Sequence, residues 1–185
     1  MNLDFSDDQK YLKEEARKFF KKENALGSAR TTLENKLHTD VNLWKKIVDL
    51  GWTGLSLPEQ YGGSEMSIGA AIPLVESMGR YLLCTPFISS TIAAQAILRG
   101  GNDAQKHRWL PTMIEGAIGT MAILDNEDWG ATRIDCTLTP KDGDFILDGI
   151  KLQVNDAVVA DIFIVLASAN GVPTLVVVNA SQLPK

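Results

Sequence analysis

The chain has 185 residues, of which 45% are hydrophobic and 22% charged, and its formal net charge is −5. That balance is typical of a globular protein with room for one large domain or two small ones. It excludes a broad electrostatic pull toward nucleic acid or an anionic membrane, and no apolar run approaches the length of a bilayer span.

The opening Met-Asn-Leu-Asp-Phe-Ser-Asp-Asp has neither the basic nor the apolar stretch of a secretory leader. Ser6-Asp7-Asp8-Gln9 has the spacing of a helix-capping box, and Leu12, Ala16, Phe19 and Phe20 then form one apolar stripe of a helix running to about Asn24. Lys10, Lys13, Arg17, Lys18, Lys21 and Lys22 interleave with Glu14, Glu15 and Glu23, as expected of a solvated face. The polar stretch Gly27–Thr39 has no clear period. Asp40 is placed to cap a helix that buries Leu43, Trp44, Ile47, Val48 and Leu50 and stops at Gly51.

Pro58-Glu59-Gln60-Tyr61-Gly62-Gly63 reads as a structural turn. A third helix is expected over Ser67–Leu83, with a kink or late start at Pro73, and a fourth over Ile88–Arg99, stopped by Gly100-Gly101. Asn102 or Asp103 caps a fifth running to Glu115 or Gly116, its pattern interrupted at Pro111. After Gly119 the texture changes to short apolar runs, Met121–Leu124, Ile134–Thr139, Phe145–Leu147, Asp161–Ser168 and Pro173–Asn179. Asp142-Gly143 and Asn170-Gly171 are hairpin signals. The fold class is therefore α+β: an all-α helical domain over residues 1–118, then an antiparallel β-domain over 119–185 that is incomplete, its last strand ending near the chain end. Cys84 and Cys136 have no metal-ligand or disulfide-framework spacing, and His38 and His107 no metal-motif context, so a cytoplasmic protein without a metal site is expected.

Several segments together resemble the acyl-CoA dehydrogenase family. They are Asp4–Gln9 through Arg17-Lys18-Phe19, Leu43-Trp44 through Leu55, Leu57-Pro58-Glu59-Gln60-Tyr61-Gly62-Gly63, Glu76-Ser77-Met78-Gly79-Arg80, and Gly101, Gln105-Lys106, Leu110-Pro111 and Gly116. The resemblance is collinear over the whole chain. It implies a helical domain, a middle β-domain and, beyond this sequence, a C-terminal four-helix domain. The reaction it implies is oxidation of the Cα–Cβ bond of an acyl-CoA thioester: a carboxylate removes the α-proton and FAD takes the β-hydrogen as hydride. Partners implied are the acyl-CoA substrate, an electron-transfer flavoprotein, and a homo- or hetero-oligomer with an acyl-CoA dehydrogenase-like subunit.

The sequence departs from the family pattern in the loops that contact flavin. Members of that family usually read Thr-Glu-Pro and then Gly-Ser-Asp after the first strand, whereas this chain reads Leu124-Asp125-Asn126-Glu127-Asp128-Trp129-Gly130-Ala131. The flavin threonine becomes Leu124 and the phosphate serine Gly130, with Thr132 a replacement if the loop shifts. Asp125, Glu127 and Asp128 would repel a pyrophosphate. The later Trp-Ile-Thr-Asn segment reads Gln153-Val154-Asn155-Asp156, so Gln153 supplies no aromatic wall while Asn155 keeps a donor. Cofactor-facing positions are thus Leu124, Gly130, Thr132, Gln153 and Asn155. No residue is assigned as the catalytic base; Glu59, Glu76, Glu115, Asp125 and Glu127 are the carboxylates considered, and the base is expected outside this chain. Three readings follow: part of a dehydrogenase subunit that is inactive alone, a non-catalytic partner that supports a flavin-bearing homologue, and an unrelated binding module.

Overall fold

The computed structural model describes residues 5–127 and 133–184. Among the described residues, six α-helices precede a five-stranded sheet. Helix α1 (Asp7–Lys22) starts at the expected capping box, with Gln9 N donating to Ser6 Oγ at 3.3 Å and Ser6 N to Gln9 Oε1 at 2.9 Å. Helix α2 (Ala25–Glu34) occupies the segment that has no clear period, because it buries only Ala25 and Thr32 and so leaves no apolar stripe to detect. Helix α3 (Val41–Asp49) is capped by Asp40, whose Oδ1 accepts from Leu43 N at 2.9 Å. Its buried face is Leu43, Trp44 and Ile47.

Pro73 imposes a late start: a 3-10 turn (Ile68–Ala70) leads into α4 (Ala71–Arg80), which places the proline in the first turn where no helical N–H is needed. Helix α5 (Phe87–Gly100) turns Ala93, Ala94 and Ile97 inward, and α6 (Asp103–Ile114) runs through Pro111 without ending there. An aromatic knot joins α1 to α4: Phe20 is fully buried with Phe19, Trp52 and Tyr81 around it, ring centroids 5.3 to 5.9 Å apart.

The strands are β1 (Gly119–Ala122), β2 (Thr137–Lys141), β3 (Asp144–Asp148), β4 (Ile162–Ala169) and β5 (Val172–Asn179). Both expected hairpins form, β2–β3 and β4–β5, and both are antiparallel. Their turn residues hold the positive φ that such tight turns demand, 52° and 85° at Asp142-Gly143 and 51° and 82° at Asn170-Gly171. The sheet as a whole is mixed, because β1 runs parallel to β4, Gly119 opposite Ile162, and β2 touches β4 in parallel at Thr137–Ser168. A parallel neighbour separated by a long connection leaves no local turn signature, which is why only the antiparallel pairs are legible in the sequence.

Strand β4 is central, with Ile162, Ile164 and Ala167 at most 2% exposed. Its side chains alternate between two layers. Ile162 and Ile164 pack with Ala93, Ala94, Ile97, Leu110 and Met113 of α5 and α6, whereas Phe163, Val165 and Ala167 face Ala122, Cys136 and Val178. Polar ties fasten the sheet and the linker before it to the helices: Gly119 N in β1 donates to Ser90 Oγ at 3.2 Å, and Trp44 Nε1 donates to Gly116 O, between α6 and β1, at 3.0 Å.

Candidate functional site

The loop leaving β1 and the segment leaving β3 lie side by side. Leu152 N donates to Leu124 O at 2.8 Å, and Lys151 Nζ donates to Ile123 O at 3.0 Å. Two of the sequence-predicted positions, Leu124 and Gln153, thus sit on adjoining strands of backbone one residue removed from a direct hydrogen bond. Asn155 belongs to the same cluster, since Thr120 Oγ1 donates to its carbonyl at 2.6 Å. Gly130 and Thr132 lie outside the described residues, as does Asp128. Leu124 is half-buried, while Gln153 and Asn155 are exposed. Gln153 and Asp156 both adopt left-handed backbone, with φ of 50° and 54°.

Asp125 is not the exposed repelling charge that the sequence suggests. Its side chain is 4% exposed and faces Lys151 Nζ, itself on a side chain 9% exposed, at 2.7 Å. The contact has the geometry of an ion pair rather than of an aligned hydrogen bond. Oδ2 also accepts from Asp135 N at 3.2 Å. Burial of a carboxylate demands a compensating charge, and Lys151, 26 residues along the chain by sequence number, supplies it. A lysine between exposed Ile150 and Leu152 gives no sequence hint that it points inward. Of the acids considered, Glu127 remains exposed in this loop.

Beneath this loop lies a cavity of about 580 Å³, walled by Ala122, Cys136, Leu147, Val154, Phe163 and Leu183. Burial pushes the Cys136 thiol above its ordinary range, so it stays protonated and poorly nucleophilic at neutral pH.

A second concave surface was not legible as a site. Between α4 and α5 runs an apolar groove of about 420 Å³, lined by Ile68, Ile72, Val75, Ile88, Thr91 and Ile92. Its four isoleucines are 44 to 56% exposed. The signal was present as two i, i+4 pairs, Ile68/Ile72 and Ile88/Ile92, left over after each helix had buried its inner face. Glu76 stands at the rim. Its carboxylate meets Lys13 Nζ at 2.7 Å, with Arg17 at 3.9 Å, and the Lys13 hydrogen bond holds it below the usual carboxylate range. A carboxylate stabilised in that way is a poor proton acceptor. Glu59 and Glu115 are exposed at a turn and at the end of α6.

The described part of the donor set, one apolar side chain, Leu124, and two exposed amides, Gln153 and Asn155, does not by itself fit an isoalloxazine ring. Such a ring needs a flat wall on one face and donors directed at its polar edge; among the described residues, the segments 123–127 and 151–160 contain no aromatic side chain and no hydroxyl.

Comparison with known proteins places the fold. Residues 6–117 match the family model described as acyl-CoA dehydrogenase, N-terminal domain. The mitochondrial isovaleryl-CoA dehydrogenase of Oryza sativa subsp. japonica is 28% identical over 174 residues, covering 91% of this chain and 42% of that protein. Among solved structures, butyryl-CoA dehydrogenase from Megasphaera elsdenii superposes with a TM-score of 0.81 at 26% identity, covering 98% of this chain and 51% of that one. A variant of the Tcur3481–Tcur3483 steroid ACAD superposes at 0.83 with 28% identity, covering 93% and 48%. The chain therefore spans about two-fifths of the length of the curated relative and half that of the solved chains.

Proposed function

Because the chain belongs to the acyl-CoA dehydrogenase family, we propose that it forms the helical domain, residues 1–118, and part of the β-domain, residues 119–185, of a subunit that works in α,β-dehydrogenation of acyl-CoA thioesters. The observation that supports this reading is the α4–α5 groove. Apart from Thr91 and the rim carboxylate of Glu76 it is hydrocarbon, half-exposed and concave, which is the chemistry an acyl chain needs and an ordinary protein surface avoids.

In this reading the groove takes the acyl tail and the β1 loop stands near the reacting end, with Leu124, Gly130, Thr132, Gln153 and Asn155 around it. The oxidation needs a base for the α-proton and an acceptor for the β-hydride. Of the carboxylates considered, Glu76 is held by Lys13 and Asp125 by Lys151. The base is assigned outside the 185 residues, and the segment alone is inactive. The acceptor that family membership implies is FAD, whose ring the described residues do not fit; no step is assigned to it on this chain.

The proposed partners are an acyl-CoA substrate, an electron-transfer flavoprotein and an acyl-CoA dehydrogenase-like subunit in a homo- or hetero-oligomer, in the cytoplasm. No helix among the described residues is long and apolar enough to cross a membrane. The test is an acyl-CoA panel against the complete subunit, produced with its oligomeric partners and assayed with an artificial electron acceptor. Turnover of at least one thioester supports the reading. Absence of both turnover and acyl-CoA binding across short, branched and steroid side-chain thioesters contradicts it.

A further inference from the structure

Helix α5 forms one wall of the apolar groove, yet its own residues do not cap its N-terminus. Pro86 holds the N-cap position without a side-chain hydrogen bond, and the first turn contains no acid. A helix that starts in this way has no local counter-charge for the positive end of its dipole. The counter-charge comes from 67 residues away: Asp156 Oδ2 accepts from Ser89 Oγ, in the first turn of α5, at 2.5 Å. The Ser89 hydroxyl also lies 3.1 Å from Pro86 O, but it has one proton to donate, and a carboxylate at the shorter distance is the stronger acceptor. Ser89 is 7% exposed, which shields this bond from solvent.

Asp156 is half-buried in the segment after β3 that also contains Gln153 and Asn155. The same turn is fixed to the sheet, because Thr120 Oγ1, fully buried in β1, donates to Asn155 O at 2.6 Å. Next to it, Gly119 N donates to Ser90 Oγ at 3.2 Å. A side chain at Gly119 would collide with Met113 and Ala93, so β1 already lies at its closest approach to α5 and α6. The start of α5, the 155–156 turn and β1 are thus joined along one polar seam. On the other face of α5 stand Ile88 and Ile92, exposed to the groove, with Ile88 adjacent to Ser89 in the chain. One turn of helix is rigid, so any displacement of Ser89 carries Ile88 with it.

Resting on the dehydrogenase reading above, we propose that Asp156 is a positioning residue. By holding Ser89 it sets the start of α5, and with it the Ile88–Ile92 wall, at a fixed spacing from the loop after β1 where the thioester end stands. Asp156 acts through Ser89 and not on the substrate. What it controls is register: an acyl tail seated on the wall presents its Cα–Cβ bond correctly only while wall and loop keep their spacing. A misplacement of about 1 Å in such an element costs on the order of 100-fold in rate. An acyl group too short to reach the wall does not sense that spacing.

The test compares kcat/KM for the shortest and the longest acyl-CoA that the complete subunit, with its oligomeric partners, turns over. The proteins are wild type, Asp156→Ala, Ser89→Ala, the double variant and Asp156→Asn, and hydrogen exchange over residues 88–95 is followed in each. Asp156→Ala and Ser89→Ala are each expected to lower kcat/KM for the longest thioester by about tenfold and for the shortest by less than about twofold. The double variant loses no more than either single one, because both remove the same bond. Asp156→Asn keeps an acceptor oxygen and recovers most of the loss. Exchange over 88–95 quickens in both alanine variants, while exchange in α6 does not. Equal losses on the two thioesters, additive losses in the double variant, or unchanged exchange over 88–95 overturns the proposal. If Asp156→Ala does not fold, Ser89→Ala, which removes a single oxygen atom, decides by the same comparison. A wild-type assembly that turns over no thioester refutes the dehydrogenase reading; quickened exchange in the variants then still supports placement of the groove wall by Asp156, and unchanged exchange overturns it.

Discussion

Lys151 brings its ammonium to 2.7 Å from the Asp125 carboxylate, with both side chains less than one-tenth exposed. The pair bridges the loop after β1 and the segment after β3, and removal of one partner leaves the other charge buried alone. Lys151→Met or Asp125→Asn is therefore expected to destabilise the protein by about 3–5 kcal/mol, whereas the double variant recovers much of that loss. Urea denaturation of all four proteins measures it. Single-variant losses below about 1 kcal/mol, the range of an exposed pair, would contradict the burial described.

The α4–α5 groove makes a prediction of a different kind. Ile72 and Ile92 are 56% and 52% exposed, so an acidic replacement at either has little effect on folding. If an acyl tail lies there, Ile72→Glu or Ile92→Glu removes an apolar contact of about 1.5–3 kcal/mol and raises the KM for acyl-CoA by roughly tenfold or more. Equal KM values with normal melting temperatures would remove the groove from the substrate site.

Asp40 links pH to stability. Burial raises its affinity for a proton, but the Ser28 hydroxyl and the amides of Leu43 and Asn42 outweigh this and hold the carboxyl below its ordinary range. A carboxylate held below its unfolded value contributes stability above the unfolded pKa of about 3.9, and loses it as pH falls through the folded value. Asp40→Ala is expected to cost about 1 kcal/mol at neutral pH through loss of the helix cap and to flatten the acid limb of a stability-versus-pH curve. Parallel acid limbs for the two proteins would contradict the assignment.

Phe20 and Thr85 make opposite predictions. Phe20 is fully buried in the aromatic knot, and Phe20→Ala is expected to lose about 3–5 kcal/mol. The Thr85 hydroxyl, just before α5, is buried without a hydrogen-bond partner among the described residues. Thr85→Val removes that unpaired group at nearly constant volume and is expected to be neutral or stabilising by about 1 kcal/mol. Thermal melts distinguish the two, and a clear loss of stability in Thr85→Val would show that the hydroxyl has a partner.

What was legible in the sequence follows from which interactions are local. The Ser6–Gln9 capping box, the Asp40 cap and both hairpin turns are encoded within four residues and appear where expected. Helix α2 was missed because it buries little, and the parallel β1–β4 pairing because its partners are 43 residues apart. The site shows the same division. Leu124, Gln153 and Asn155 were placed near one another through resemblance, but the direction in which Asp125 points depends on a distant lysine. The groove, formed by residues that two helices leave uncovered, emerges only when α4 and α5 are set side by side.

Dehydrogenation by an assembly containing this chain is tested most directly by acyl-CoA-dependent reduction of an artificial acceptor. The intact assembly is compared with the same assembly carrying Ile92→Glu and with the 185-residue segment alone. The expected result is turnover by the intact assembly, a raised KM for acyl-CoA in the variant and no turnover by the segment. Failure of every acyl-CoA thioester to support turnover, or turnover by the segment alone, would contradict it.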